Sequence, residues 1–210
     1  MIITYTGIEG VKIQHGDTTV AFNPPSKQSE FSGTSFGADV VLITANHPDL
    51  NGAEMASRKD KEAFVIKGPG EYESAGLFVR GYSSKTNYGE KERINTIYTV
   101  TIDGINVAYL GALDQTELEP EAKEALGESD ILFVPIGGEG VLNAADAYQM
   151  AVKREPAIII PIHYGAVGEK DALKDFLKEG GQTGLKPVDK LTLKKKDLEG
   201  KKGEIVVLSA

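Results

Sequence analysis

Three segments of this 210-residue chain are apolar at almost every position, namely residues 40–44, 131–136 and 157–162. Each is rich in β-branched residues and too short for a buried helix, so each predicts a strand that is buried on both faces. Such strands must be covered on both sides by other layers of structure. This requirement indicates two sheets packed face to face with helices outside them.

Shorter β-branched runs separated by turn residues predict further strands along the chain. Asp103-Gly104 between two apolar runs is a strong hairpin signal. Helices are predicted at residues 116–126, 143–154 and 171–179, with Asn143 as the cap of the second. The remaining predicted strands are residues 2–6, 11–14, 18–22, 63–66, 77–80, 94–102, 105–110, 191–193 and 204–208, with loops at 23–37 and 82–93. Because no change of composition marks a boundary, we expect one α/β (α+β) domain over residues 1–210.

The composition excludes several classes of function. The chain has no cysteine, which removes disulfides, thiol nucleophiles and Cys-based metal sites. The net charge of −8 predicts a surface that repels phosphate backbones, so no nucleic-acid partner is expected. No segment approaches the ~20 apolar residues of a membrane span, and residues 1–5 lack the features of a signal peptide. We therefore expect a soluble, cytoplasmic protein with no membrane partner.

Histidines are the main candidates for chemistry, and the chain has three. His15 lies in a Gly-Asp turn, where we expect it to be exposed and without a role. His47 and His163 each follow a predicted buried strand, and Asp49 stands two residues after His47. Loops at strand ends carry the sites of many α/β folds, and imidazole with carboxylate suits zinc, iron or manganese. His47, Asp49 and His163 are therefore the candidate site residues.

The segment around His47 resembles the signature of a known family. Residues 41–50, Val-Leu-Ile-Thr-Ala-Asn-His-Pro-Asp-Leu, are similar to the strand and H-x-H-x-D-H motif of the metallo-β-lactamase superfamily. Residues 5–7, 23–24, 109–113 and 160–164 resemble other conserved points of that family, in the same order along the chain. The most similar branch is that of small zinc-dependent hydrolases akin to sugar-lactone hydrolases. The resemblance implies an αββα sandwich of the metallo-β-lactamase type, with two mixed sheets and helices outside.

Three ligand positions of that signature are apolar in this chain. Ala45 and Leu50 stand where the family has its first and last histidine, and Ala112 stands at its bridging aspartate. A catalytic zinc needs about three protein ligands and an open position, and two metals normally share a bridging carboxylate. A dinuclear zinc centre is therefore not expected.

Two functional hypotheses from different classes remain open. In the first, which we prefer, the chain is a divergent member that is inactive or binds a small molecule or protein. The remaining polar residues are then hydrogen-bonded in a closed pocket, because apolar neighbours lower the need for a cation. No cofactor is expected in this case.

In the second hypothesis, the chain hydrolyses a lactone, ester or phosphoester with a single divalent ion, zinc, manganese or iron. His47, Asp49 and His163 would hold the ion, and Asp114 or Glu71 would complete its shell or serve as the base. A metal-free acid–base pair is a third reading, with His47 or His163 as the catalytic base and Asp49 fixing its tautomer.

Overall fold

The computed structural model describes residues 1–31, 33–57 and 62–210. The helices are α1 (Pro120–Gly127), α2 (Ala144–Val152) and α3 (Ala172–Glu179), with 3₁₀ turns at Ala53–Ala56 and Lys195–Leu198. The strands are β1 (Ile2–Gly7), β2 (Gly10–His15), β3 (Thr18–Phe22), β4 (Val40–Ile43), β5 (Phe64–Lys67), β6 (Gly70–Ser74), β7 (Leu77–Thr86), β8 (Arg93–Ile102), β9 (Ile105–Tyr109), β10 (Ile131–Pro135), β11 (Ile158–Ile162), β12 (Leu191–Thr192) and β13 (Glu204–Ile205).

The strands form two mixed sheets, as predicted. The first has the order β12-β1-β2-β3-β4-β5, and the second has the order β13-β11-β10-β9-β8-β7-β6. In the first sheet β3, β4 and β5 are parallel, and in the second β9, β10, β11 and β13 are parallel. The other pairings are antiparallel. The carboxyl ends of β4 and β5 therefore share one edge of the first sheet.

The apolar residues separate into layers that explain the continuous apolar runs. Every residue of β4, β10 and β11 is buried, as the sequence predicts. Phe22, Tyr109 and Phe133 pack together between the sheets, with ring centroids 4.6 and 5.8 Å apart for the two neighbouring pairs. The three α-helices cover the outer face of the second sheet through a separate apolar cluster that includes Phe176.

The first sheet is covered differently on its outer face. In the described part of the chain, its cover consists of the 3₁₀ turn at Ala53–Ala56 and the half-buried Phe36, packed against Val41 and Ile43. The prediction of helices outside the sheets is therefore confirmed by three α-helices on the second sheet. On the first sheet, the corresponding element is a single 3₁₀ turn.

Two predictions of local structure were wrong, both on the same side of the second sheet. Residues 70–74, which lie between the predicted strands 63–66 and 77–80 and for which no strand was predicted, form β6, which pairs antiparallel with β7. β7 continues to Thr86 through a segment expected to be a loop, because it pairs with β8 along its whole second half. Cross-strand pairing outweighs the polar local sequence here, since an edge of a sheet tolerates exposed polar side chains.

The helix ends follow local chemistry. α1 begins at Pro120 rather than at residue 116, and proline is favoured in the first turn of a helix because it lacks an N–H group. The predicted cap of α2 is confirmed, since the side chain of Asn143 accepts a hydrogen bond of 2.9 Å from the amide of Asp146. None of the helices in the described residues has the length and apolarity that a membrane span requires.

Candidate functional site

The candidate residues lie in loops that leave the carboxyl ends of two buried strands. His47 and Asp49 follow β4, and His163 is the first residue after β11, with φ of 61°. The chain after β9 approaches β4 closely, because a Cβ atom added to Gly111 would lie 2.5 Å from Oγ1 of Thr44. Only glycine allows this approach and its φ of +59° together.

His163 forms a buried pair with Glu9, and both side chains have 0% exposure. Nδ1 of His163 lies 2.7 Å from Oε1 of Glu9. The other carboxylate oxygen accepts a hydrogen bond of 2.7 Å from Nδ2 of Asn23, which also donates to Oγ1 of Thr44. The hydroxyl of Tyr109 donates to the backbone carbonyl of Glu9. The network therefore connects β11, the β1–β2 turn and the end of β4.

The pairing with Glu9 decides which nitrogen of His163 remains for other interactions. A carboxylate on Nδ1 favours a proton there, which leaves Nε2 as the other functional atom of the ring. Nε2 is buried and makes no hydrogen bond to any described residue. Gly137 lies directly against this ring, since an added Cβ atom would be 2.6 Å from Cδ2 of His163.

His47 and Asp49 belong to a second polar group, completed by Ser29 and Tyr88, which we call the Tyr88 cluster. The amide of Asp49 donates to Nδ1 of His47 over 3.2 Å. The carboxylate of Asp49 accepts a hydroxyl hydrogen bond on each oxygen, from Ser29 at 2.6 Å and from Tyr88 at 2.7 Å. Both oxygens of the predicted ligand Asp49 therefore already have partners.

Burial sets the protonation of two members of the Tyr88 cluster. It lowers the pKa of His47, and the nearby Asp49 charge opposes this effect without reversing it. Burial also raises the pKa of Tyr88, and its hydrogen bond to Asp49 adds to the rise. Near neutral pH, His47 is therefore a neutral imidazole and Tyr88 a protonated hydrogen-bond donor.

The ring of Tyr88 lies between the two histidines. Its centroid is 4.7 Å from that of His47 and 4.7 Å from that of His163, in edge contacts of 61° and 88°. Its backbone carbonyl accepts a 2.6 Å hydrogen bond from Arg93. The backbone amide of the neighbouring Asn87 donates to the backbone carbonyl of Gly140 over 3.2 Å. The aromatic ring thus occupies the space between the two imidazoles.

The apolar residues at the signature positions come together. Ala45, Leu50 and Ala112 are 4%, 0% and 0% exposed, and they form one cluster with Ile8 and Val141. Tyr88 and Val167 pack against it. The three positions that the resemblance assigns to metal ligands therefore lie next to each other, and their side chains form a small hydrophobic core.

The two carboxylates suggested as additional ligands have other partners. Asp114 accepts a hydrogen bond of 2.6 Å from Nδ2 of Asn87. Glu71 lies on β6 with its side chain 68% exposed and pairs with Arg80 at 3.2 Å. Within residues 1–31, 33–57 and 62–210, no group of three or more His, Asp or Glu side chains is arranged to hold a metal ion. Nδ1 of His15 lies 3.5 Å from Oδ2 of Asp103, and the side chain of His15 is exposed.

Sequence reasoning missed four residues of these networks. Asn23 entered only through the resemblance of residues 23–24 to the family. Glu9 carried a usable signal, because it is the one carboxylate between two apolar strands that directly follow each other. Ser29 and Tyr88 lie in segments expected to be loops, and nothing in the local sequence indicates that both reach Asp49.

Comparisons with known proteins identify the family of this fold. The family described as "Beta-lactamase superfamily domain" matches residues 2–163. A UPF0173 metal-dependent hydrolase from Natranaerobius thermophilus is 23% identical over 185 residues, which cover 78% of this chain and 83% of that protein. A UPF0173 protein from Pyrococcus furiosus is 37% identical over 73 residues, a match that spans 35% of this chain and 33% of that protein.

A solved structure agrees with the sequence match. A protein of the metallo-β-lactamase superfamily from Thermotoga maritima superposes with a TM-score of 0.73 and 25% identity, covering 99% of this chain and 97% of that one. The two-sheet architecture, the matched residues and this superposition agree with one another. The chain belongs to the β-lactamase superfamily and has the metallo-β-lactamase fold.

Proposed function

We propose that this chain is a divergent member of its superfamily that binds a small molecule or protein and does not use the dinuclear zinc chemistry of the signature. The observation that carries this proposal is that apolar side chains pack together at the three positions where the resemblance places metal ligands. Ala45, Leu50 and Ala112 form an apolar cluster, and the ring of Tyr88 fills the space between His47 and His163.

The donor set supports this proposal because it does not fit a zinc ion. A zinc site needs three or four convergent donors, and each donor must have a free lone pair. Within the described residues no three His, Asp or Glu side chains converge in this way, and the ring of Tyr88 lies between His47 and His163. A cation placed against the apolar cluster would also lose hydration without compensation. We therefore assign no reaction step to a metal.

Metal analysis of the untagged protein tests the proposal directly. After equilibrium dialysis with zinc, manganese or iron, we expect no ion held with a Kd below about 1 μM, which corresponds to ~8 kcal/mol. Mass spectrometry of the dialysed protein gives the metal content. One tightly held ion per chain, lost in His47→Ala and kept in His15→Ala, would overturn the proposal. His47 is chosen because its half-buried position makes the variant more tolerable than His163→Ala.

Restoring the signature gives a complementary experiment. The triple variant Ala45→His, Leu50→His and Ala112→Asp adds two imidazoles and a carboxylate to His47, Asp49 and His163. We expect it to gain zinc affinity relative to the wild type, measured by calorimetry. Circular dichroism checks its folding, because burying polar groups at positions with 4% or less exposure is destabilising. The variant Ala45→His alone provides a milder version if the triple variant does not fold.

One specific observation favours a second candidate, a hydrolase of a lactone, ester or phosphoester with a single divalent ion. Nε2 of His163 is buried and has no hydrogen-bond partner among the described residues, and Glu9 holds the opposite nitrogen as the outer partners of metal-bound histidines do. The relative from Natranaerobius thermophilus is named a metal-dependent hydrolase. His47, Asp49 and His163 would hold this ion, which requires that Tyr88 leave its position. The metal analysis above distinguishes the two candidates.

A further inference from the structure

A cleft of about 440 Å³ opens beside the carboxyl ends of β4 and β5. Its apolar lining includes Ile43 and Ala45 at the end of β4, Pro69 after β5 and Ile94 of β8. Crevices beyond the carboxyl ends of parallel strands commonly hold ligands, and small-molecule sites span roughly 300–1,000 Å³. The cleft therefore has the location and size of a small-molecule site.

Charge gives this cleft its chemical character. Lys67, at the end of β5, lines it, and no carboxylate does, although the chain has 31 acidic residues. Lys67 forms no ion pair with any residue in the described ranges. Nδ2 of Asn51 donates to Oδ1 of Asn46 over 2.7 Å, which leaves the –NH₂ group of Asn46 to donate to another acceptor. The polar side chains at the cleft therefore include one cation, the amides of Asn46 and Asn51 and the hydroxyls of Thr44 and Thr96, with no carboxylate among them.

A second surface groove shows that this character is local. That groove lies at the start of α2 and is lined by Asp114, Glu117, Glu139, Asp146 and Glu169. Its carboxylates would repel an anion, whereas the cleft at Lys67 would attract one. Among these two cavities, only the cleft beside β4 and β5 combines an apolar lining with an unpaired cation.

We propose that this cleft binds a small organic carboxylate with an apolar body of about the size of a phenyl ring. The body packs mainly against Pro69 and Ile94, because Ile43 and Ala45 are only 3% and 4% exposed, and the carboxylate meets Lys67 and the amide of Asn46. The inference rests on the proposed function, because it names the class of ligand that the proposed binding protein would take.

Three probes that share one body separate charge from hydrophobic contact. We expect phenylacetate to shift the backbone amide signals of residues 43–46, 67–69 and 94–96 in ¹⁵N-resolved NMR, with a Kd on the order of 1 mM. The neutral 2-phenylethanol should bind about three- to fivefold more weakly, and the cationic 2-phenylethylamine more weakly again. Equal binding of the amine and the carboxylate, shifts at other residues, or no shifts with phenylacetate would overturn the proposal.

Matched variants test the named residues. Lys67→Gln should weaken phenylacetate binding about three- to fivefold, whereas Lys174→Gln, on an exposed lysine of α3, should leave it unchanged. Ile94→Asp places a carboxylate at the cleft on a residue that is 64% exposed, so folding should persist while binding is lost. Val188→Asp, at another exposed apolar residue, is the control. Unchanged binding in Lys67→Gln or in Ile94→Asp would overturn the assignment.

These outcomes are distinguishable from those of the metal analysis. A zinc ion held by His47 would refute the proposed function whatever phenylacetate does. An absence of zinc binding together with an absence of phenylacetate binding would refute the ligand class alone.

Discussion

His163 and His47 both follow buried strands, yet their surroundings differ in kind. His163 has no exposed surface and is paired with a carboxylate that is equally buried. The side chain of His47 is 19% exposed, and its Nδ1 accepts a hydrogen bond from a backbone amide. The first imidazole is fixed by a permanent partner in the core, and the second lies in loops beside an aromatic side chain.

This difference follows from the cost of burying polar groups. A fully buried imidazole or carboxylate needs a partner inside the protein, because no water reaches it. A half-buried imidazole retains contact with water and tolerates changes around it. The Glu9–His163 pair is therefore expected to control stability, whereas the Tyr88 cluster is expected to control access to the space between the histidines.

The largest expected effect comes from breaking the buried pair. Glu9→Ala removes the partner of Nδ1 of His163 and of the Asn23 amide, and we expect a loss of about 3 kcal/mol in the free energy of unfolding. Urea denaturation measures this loss. Glu71→Ala, in an exposed pair with Arg80, should change stability by less than about 1 kcal/mol. Equal effects of the two substitutions would contradict the distinction between a buried and an exposed pair.

An intermediate effect is expected from Tyr88→Phe. This substitution keeps the ring between the histidines and removes the hydroxyl that donates to Asp49, at an expected cost of about 1–2 kcal/mol. The control is Tyr82→Phe, because the hydroxyl of Tyr82 makes no hydrogen bond within the described residues. Thermal unfolding of the two variants gives the comparison. If both variants match the wild type, the hydrogen bond to Asp49 contributes nothing measurable.

The smallest expected effect concerns pH. Burial lowers the pKa of His47 below its ordinary value of 6.5, so the unfolded chain binds a proton here more readily than the folded protein. The contribution of His47 to the free energy of unfolding is therefore complete above about pH 6.5 and decreases as the pH falls toward the lower pKa of the folded state. Urea denaturation at pH 7.5 and 5.5 should show a smaller difference in His47→Gln than in the wild type. His15→Gln should retain the wild-type difference.

The sequence by itself determined the layers and the start of α2. Continuous apolar runs predicted the fully buried β4, β10 and β11, because a strand without a polar face must be covered on both sides. Asn143 predicted the start of α2, because a cap satisfies amides in its own first turn. These features depend on residues close together in the chain, and their physical cause is visible in a short window of sequence.

Tertiary structure alone decided what surrounds the two histidines. Glu9 and His163 are 154 positions apart, and Ser29 and Tyr88 reach Asp49 from two different loops. The extension of β7 to Thr86, which leads into the Tyr88 loop, likewise depends on pairing with β8. No local pattern records such contacts, because each exists only after both sheets have formed and brought distant segments within hydrogen-bond distance.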